Sequence, residues 1–368
     1  MTVPVPVSRT STSAHRCVCS PESVRPSPGP LSDGGQRGLP GAVTDSRFPR
    51  LVAGEPPDGY KLLPALRPPM RRSSGKHPVR RATNRSVGKT GLPVGRPWLF
   101  LTAAVGVTWV FWLPAIVLGV SFDSATGALL LLAGLASPGV AGIAFVYLVY
   151  DDRGRADFWN RATNVRRFGT RGLAVILLVP LGVTLLAGVV DLLAGGAGPA
   201  WGEGVSRFGV DPLAILPALF FATLPPLLEE LGWRGYALDR LQLRRSALSA
   251  SVILGVVWSV WHLPLFFIEG SYQHDAVGFA TAEFWLFMLG IVALSPTFTW
   301  IYNGTERSVL GIIVLHGWVN FTAEVIVVPE VVYYPLWFVL AGVLVARLGA
   351  RTLTTADEVP HPPLPSDS

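Results

Sequence analysis

From Trp98 onward the chain is a near-continuous succession of apolar stretches, each long enough to cross a hydrocarbon layer of about 30 Å as a helix. Eight can be counted, at about 98–120, 127–150, 172–194, 212–238, 247–268, 280–301, 308–328 and 331–347. In lipid every backbone N–H and C=O must bond internally, which leaves the helix as the form such segments take. No soluble insert longer than about 20 residues separates them. The sequence therefore predicts an all-α, polytopic membrane protein with about eight transmembrane helices. Half of the residues are hydrophobic and 15% are charged, which agrees with that class.

The first 96 residues differ. They are rich in Pro, Ser, Gly and Arg and carry 16 Lys/Arg against 5 Asp/Glu, so the overall net charge of +6 belongs to this segment. Such a composition buries too little apolar surface to offset chain entropy, and a disordered N-terminal tail is expected over 1–96. Its basic run from Arg71 to Arg96 suits anionic headgroups rather than nucleic acid. The expected organisation is this tail, a membrane domain over 97–347, and a short C-terminal tail over 348–368. Cys17 and Cys19, the two cysteines, provide no disulfide framework.

Arginine placement sets the expected orientation, because cytoplasmic loops collect Lys and Arg. The loop after the second span holds six arginines, and the one after the fourth holds Arg240, Arg244 and Arg245. The loop after the sixth has Arg307, and the C-terminal end has Arg347 and Arg351. The alternate loops contain a single arginine between them. Both termini are expected in the cytoplasm of a multi-pass cell-membrane protein.

Three spans carry polar groups that a helix facing only lipid has no use for. The fourth contains "EELGWR", with Glu229, Glu230 and Arg234; the fifth contains "WSVWH", ending at His262; the seventh contains "HGWVN", with His316 and Asn320. Glu230 and Arg234 are four apart and share a helix face, so they can pair. Glu229 points about 100° away and is left for another task. Gly232 and Gly235 leave room for a second helix or a substrate backbone. Hydrolysis of a peptide bond needs a base for water and a stabiliser for the oxyanion, and these residue types supply both. Each group also has an ordinary structural reading: a solvated ion pair, a packed histidine, an interhelical hydrogen bond. Together on separate helices they favour function, since ionisable residues at membrane depth are costly. Asp191, Glu283 and Glu324 sit near outer span ends and read as structural. Trp300 and Tyr302 read as interfacial aromatics. There is no G-x-S-x-G and no H-E-x-x-H.

In order and spacing these three motifs resemble those of the CPBP family, also called Abi or type II CAAX prenyl endopeptidase-like proteins, over about residues 98–347. Trp258 stands where that family more often has Phe, which reads as a conservative change. The resemblance implies an intramembrane endopeptidase acting on a membrane-associated peptide or protein. Glu229 would then be the water-activating base, supported by Glu230 and Arg234. His262 and His316 would polarise the scissile carbonyl or bind a metal such as Zn2+, and Asn320 would steady the oxyanion. If Glu229 ligated an ion no separate base would be evident unless Glu230 left its pair with Arg234, so Glu229-activated water is preferred, with a metal optional or weakly bound. The rival readings are a transporter with a carboxylate proton relay and a non-catalytic immunity or scaffold protein. One tension remains: counted from the cytoplasmic span ends, His262 lies about 22 Å deep and His316 about 12 Å.

Overall fold

The computed structural model describes residues 96–359, 361 and 362, leaving aside the side chains of 203, 204, 206 and 207. The tail expected over 1–96 therefore falls, except for Arg96, outside the described residues. The described chain is built from helices: α1 (Pro97–Leu118), α2 (Ala125–Val149), α3 (Asp152–Thr163), α4 (Gly169–Leu193), α5 (Glu203–Val210), α6 (Ile215–Gly232), α7 (Asp239–Gln242), α8 (Ala247–Trp261), α9 (Ala282–Gly304), α10 (Val309–Val325) and α11 (Glu330–Leu348). A π-helical turn, Trp233–Leu238, joins α6 to α7, so 212–242 runs as one long helical segment. Seven of these segments are long and apolar enough to cross a membrane, and α10 is a shorter apolar helix of 17 residues. This is a multi-pass helical membrane protein. Residues such as Val110, Val117, Leu129, Leu178 and Leu216 are exposed on its flanks, where lipid rather than water suits them.

α6 lies between α2 and α10, while α8 packs on α9 and α9 on α11. The α2–α6 contact is close because glycines face it. A Cβ on Gly142 would lie 2.7 Å from Gly232 Cα, and one on Gly232 would strike the Pro138 carbonyl. Removing side chains lets two backbones approach in this way, a common device between membrane helices.

The connections fall into two groups. On one side the loop after α1 bonds the loop after α8, through Phe122 N–H to the Glu269 carbonyl at 2.9 Å. A two-residue β-ladder, β1 (Ala200–Trp201) with β2 (Ile326–Val327), joins the segment after α4 to that after α10. Tyr272 Oη donates to Glu330 Oε1 at 2.9 Å on this side as well.

On the other side a buried ionic cluster ties α3, the end of the α6–α7 segment and the α9–α10 loop together. Arg161 donates to Asp157 at 2.9 Å, to Tyr302 Oη at 2.8 Å and to the Gly235 carbonyl at 3.0 Å. Arg307 binds Asp239 and also reaches Asp157 at 3.1 Å. Burial weighs against the charge of Arg307, but Asp239 outweighs it and holds the guanidinium pKa above its ordinary value. Tyr302, expected at an interface, is instead fully buried here and donates to Asp239 at 2.9 Å. The segment after α11 returns to this side, where Ala247 N–H bonds the Arg351 carbonyl at 2.9 Å and Leu353 is buried.

Candidate active site

The site begins with a local fault in α6. Pro225 and Pro226 have no N–H, so the carbonyls four residues earlier lose their helical partners. Asn320 Nδ2 on α10 donates to one of them, Ala222, at 3.3 Å. Gly317, one turn nearer the start of α10, faces the same stretch: a Cβ there would meet Thr223 Oγ1 at 3.0 Å. Beyond the prolines the helix carries Glu229 and Glu230 and then widens into the π-turn that bears Arg234. Such turns recur at functional sites because they re-aim side chains without ending a helix.

Glu230 and Arg234 pair as their spacing predicts, with Arg234 Nη1 at 2.8 and 3.0 Å from the two carboxylate oxygens. Both are sealed from solvent. Arg234 Nε and Nη2 have no hydrogen-bond partner among the described residues. The guanidinium lies instead against two aromatic faces, 4.8 Å from the centroids of Trp258 and Phe298. That cation–π arrangement compensates part of the lost hydration. His316 Nδ1 approaches Glu230 Oε1 at 2.9 Å, so one carboxylate holds an arginine from its own helix and a histidine from α10.

Glu229 faces elsewhere. Its Oε2 accepts from Trp258 Nε1–H at 2.7 Å. Trp258 is in α8, and its backbone carbonyl lies 2.8 Å from His262 Nδ1. A carbonyl can only accept, so Nδ1 of His262 carries hydrogen and the neutral ring has its lone pair at Nε2. His316 Nδ1 likewise faces an acceptor, the Glu230 carboxylate that Arg234 also binds. Glu229, His262 and His316 keep 3%, 7% and 7% of their surface, whereas Glu230 and Arg234 keep none. The carboxylate and two imidazoles thus keep a small residual exposure, with the ion pair closed behind them.

All six residues singled out in the sequence are placed by α6 with its π-turn, α8 with its C-cap, and α10. Glu230, Arg234 and His316 bond directly, and Glu229 and His262 meet through Trp258. Asn320 stands one turn beyond His316 and touches α6 two turns before Glu229. The depth mismatch between the histidines disappears, because both pack on the Trp258 ring, with centroids at 5.9 Å for His262 and 5.2 Å for His316. Gly232 and Gly235 are taken up by packing rather than left for substrate: Gly232 meets the Pro138 carbonyl, and a Cβ on Gly235 would lie 2.8 Å from the Phe158 ring. Trp258 is the residue whose part the sequence concealed. Phe would fill its space but has no N–H, and only that chemical difference signals the bond.

His262 and His316 were candidate metal ligands. Among the described residues no three His, Cys, Asp or Glu side chains form a group that could hold a metal ion. Both Nδ1 atoms are engaged, leaving two Nε2 atoms and a carboxylate already held by an indole. Two imidazoles and a carboxylate are the ligand types of a catalytic zinc, which takes three protein ligands and an open position, but as placed they do not gather around one point.

A helical bundle with a charged, hydrogen-bonded site inside its membrane-spanning helices defines the class: a polytopic membrane protein with an ionisable site among its helices. Residues 211–322, which contain all three motifs, match the family model described as Type II CAAX prenyl endopeptidase Rce1-like. The chain is also 29% identical over 236 residues to the CAAX prenyl protease 2 of Methanococcus maripaludis, covering 64% of this chain and 86% of that protein. On both counts it is similar to the type II CAAX prenyl endopeptidase-like proteins, the resemblance that its three motifs carry.

Proposed function

We propose that the protein is an intramembrane endopeptidase that hydrolyses a peptide bond of a membrane-associated peptide or protein with water activated by Glu229. What carries the reading is the gathering of a carboxylate and two imidazoles around Trp258, backed by a sealed Glu230–Arg234 pair. Glu229 takes a proton from water as the new C–O bond forms and the carbonyl electron pair moves to oxygen. Collapse restores the carbonyl and breaks the C–N bond, and the proton on Glu229 passes to the leaving nitrogen.

The imidazoles divide the remaining work. Nε2 of neutral His262 is an acceptor, suited to a hydrogen of the attacking water. His316, held by Glu230, donates from Nε2 to the carbonyl oxygen when it is an imidazolium, and Asn320 steadies the same oxygen. Glu230 and Arg234 hold His316 and the π-turn in place. In this reading residues 97–347 are the protease domain, the flanking segments 1–96 and 348–368 are cytoplasmic, and the site serves substrates embedded in the cell membrane.

Purified protein in detergent or liposomes, offered a library of membrane peptides and a prenylated C-terminal peptide, tests the proposal. The unmodified protein should cleave a subset. Glu229→Gln keeps shape and hydrogen bonding but removes the base, and cleavage should fall by roughly 10²–10⁴-fold at unchanged melting temperature. Normal turnover by that variant would show that another group is the base.

A further inference from the structure

We infer that Trp258 is the positioning residue of the proposed catalytic carboxylate: its indole N–H fixes Glu229 Oε2 and so directs the other oxygen at water. The consequence for rate rests on the proteolytic reading above, while the contact stands on geometry alone.

Five relations converge on this one residue. The indole N–H donates to Glu229 at 2.7 Å, and the backbone carbonyl accepts from His262 at 2.8 Å. One ring face carries the Arg234 guanidinium at 4.8 Å. The His316 ring stands against it edge-on, at 5.2 Å and 82°. Phe298 packs on it as well, at 5.9 Å. A side chain held on this many sides, with 3% of its surface exposed, cannot swing, so its N–H points in one direction.

The chemistry suits a holder rather than a participant. An indole N–H donates and does not accept, so it takes no proton from Glu229 or from water. A glutamate side chain has three rotatable bonds, and fixing one oxygen removes most of the freedom that would otherwise blur the approach to water. Among the described residues no other hydrogen bond from that turn of α8 reaches Glu229: Ser259 Oγ donates to the Met288 carbonyl at 2.9 Å, and His262 Nδ1 is spent on Trp258 itself.

Two substitutions isolate the N–H. Trp258→Phe keeps an aromatic face for Arg234 and the backbone carbonyl for His262. Site-specific 3-benzothienylalanine keeps the whole indole shape, with sulfur in place of N–H. Both should lower kcat by roughly 10–100-fold, the loss of one hydrogen bond to a charged group, with KM within about threefold of the starting value. A purely packing role predicts full activity for the benzothienyl protein, and that outcome, or a change confined to KM, overturns the inference.

A readout independent of turnover is the Trp258 indole ¹⁵N–¹H resonance, assigned by its disappearance in Trp258→Phe. Its proton should lie downfield and move upfield in Glu229→Gln, where the acceptor loses its charge. A resonance that ignores that change removes the contact and the inference with it. A moving resonance in a protein that cleaves no peptide confirms the contact and counts against the protease reading instead.

Discussion

A neutral imidazole has one nitrogen to give a hydrogen and one to receive it, and in this site the surroundings decide which is which. His262 spends Nδ1–H on the Trp258 carbonyl, and His316 directs Nδ1 at Glu230. Only the two Nε2 atoms and Glu229 are left to meet an ion, and Glu229 cannot serve as ligand and as free base at once. If Glu229 is the free base, as proposed, purified protein should lack stoichiometric zinc, and its peptide cleavage should survive a strong chelator with less than about a twofold loss. Metal analysis beside chelator-treated assays decides this; zinc lost together with activity, and both restored on adding zinc, would reverse it. At this scale Glu230 and Arg234 were legible because i, i+4 spacing fixes a shared helix face. The tie between Glu229 and Trp258 was not, because it crosses between helices 29 residues apart in sequence and hangs on one N–H.

The elements were legible where length and apolarity speak and obscure where local geometry departs from the straight helix. Spans expected at 98–120 and 127–150 correspond to α1 and α2 within a few residues. The π-turn after α6 has no comparable signature, since it is set by packing against α3, whose Arg161 takes up the Gly235 carbonyl. Counting depth at a fixed rise per residue separated the two histidines, but Trp258 spans the gap with its ring. The contact of α2 with α6 supports this whole construction from behind, and it depends on Gly142 facing Gly232. Gly142→Val should destabilise the protein by roughly 1–3 kcal/mol, the cost of overpacking a tight contact, and reduce kcat because Glu229 and Glu230 ride on the displaced helix. Gly106→Val on α1 is the matched control, as nothing lies within 4 Å of a Cβ there. Thermal melting in detergent and activity of both variants check the pair of expectations, and equal melting of the two would contradict the close-approach argument.

At the scale of the whole molecule, the hydrogen bonds sort the connections into two faces without reference to charge. Loops after α1 and α8, and the segments after α4 and α10, join one another on one face. On the other, α3, the α6–α7 end, the α9–α10 loop and the chain after α11 meet around Asp239 and Arg307. Alternation of this kind requires each of the eight apolar segments to cross, including α10, whose 17 residues span about 25 Å. Orientation is a separate matter, and here the arginine count changes meaning. Arg161, Arg240 and Arg307 are buried in the protein and do not address the headgroups. The vote falls to Arg153, Arg166, Arg171, Arg244, Arg245, Arg347 and Arg351, which are exposed and all belong to the Asp239 face. Their number keeps the balance in favour of the cytoplasm for that face. Reporter fusions at Ser124 and Gly270 should accordingly read extracytoplasmic and one at Arg245 cytoplasmic. Replacing the exposed arginines with Gln should weaken that preference, whereas replacing buried Arg307 should lower stability and leave orientation unchanged. A cytoplasmic signal at Gly270 together with an extracytoplasmic one at Arg245 would invert the molecule and turn the ionic face away from the cytoplasm.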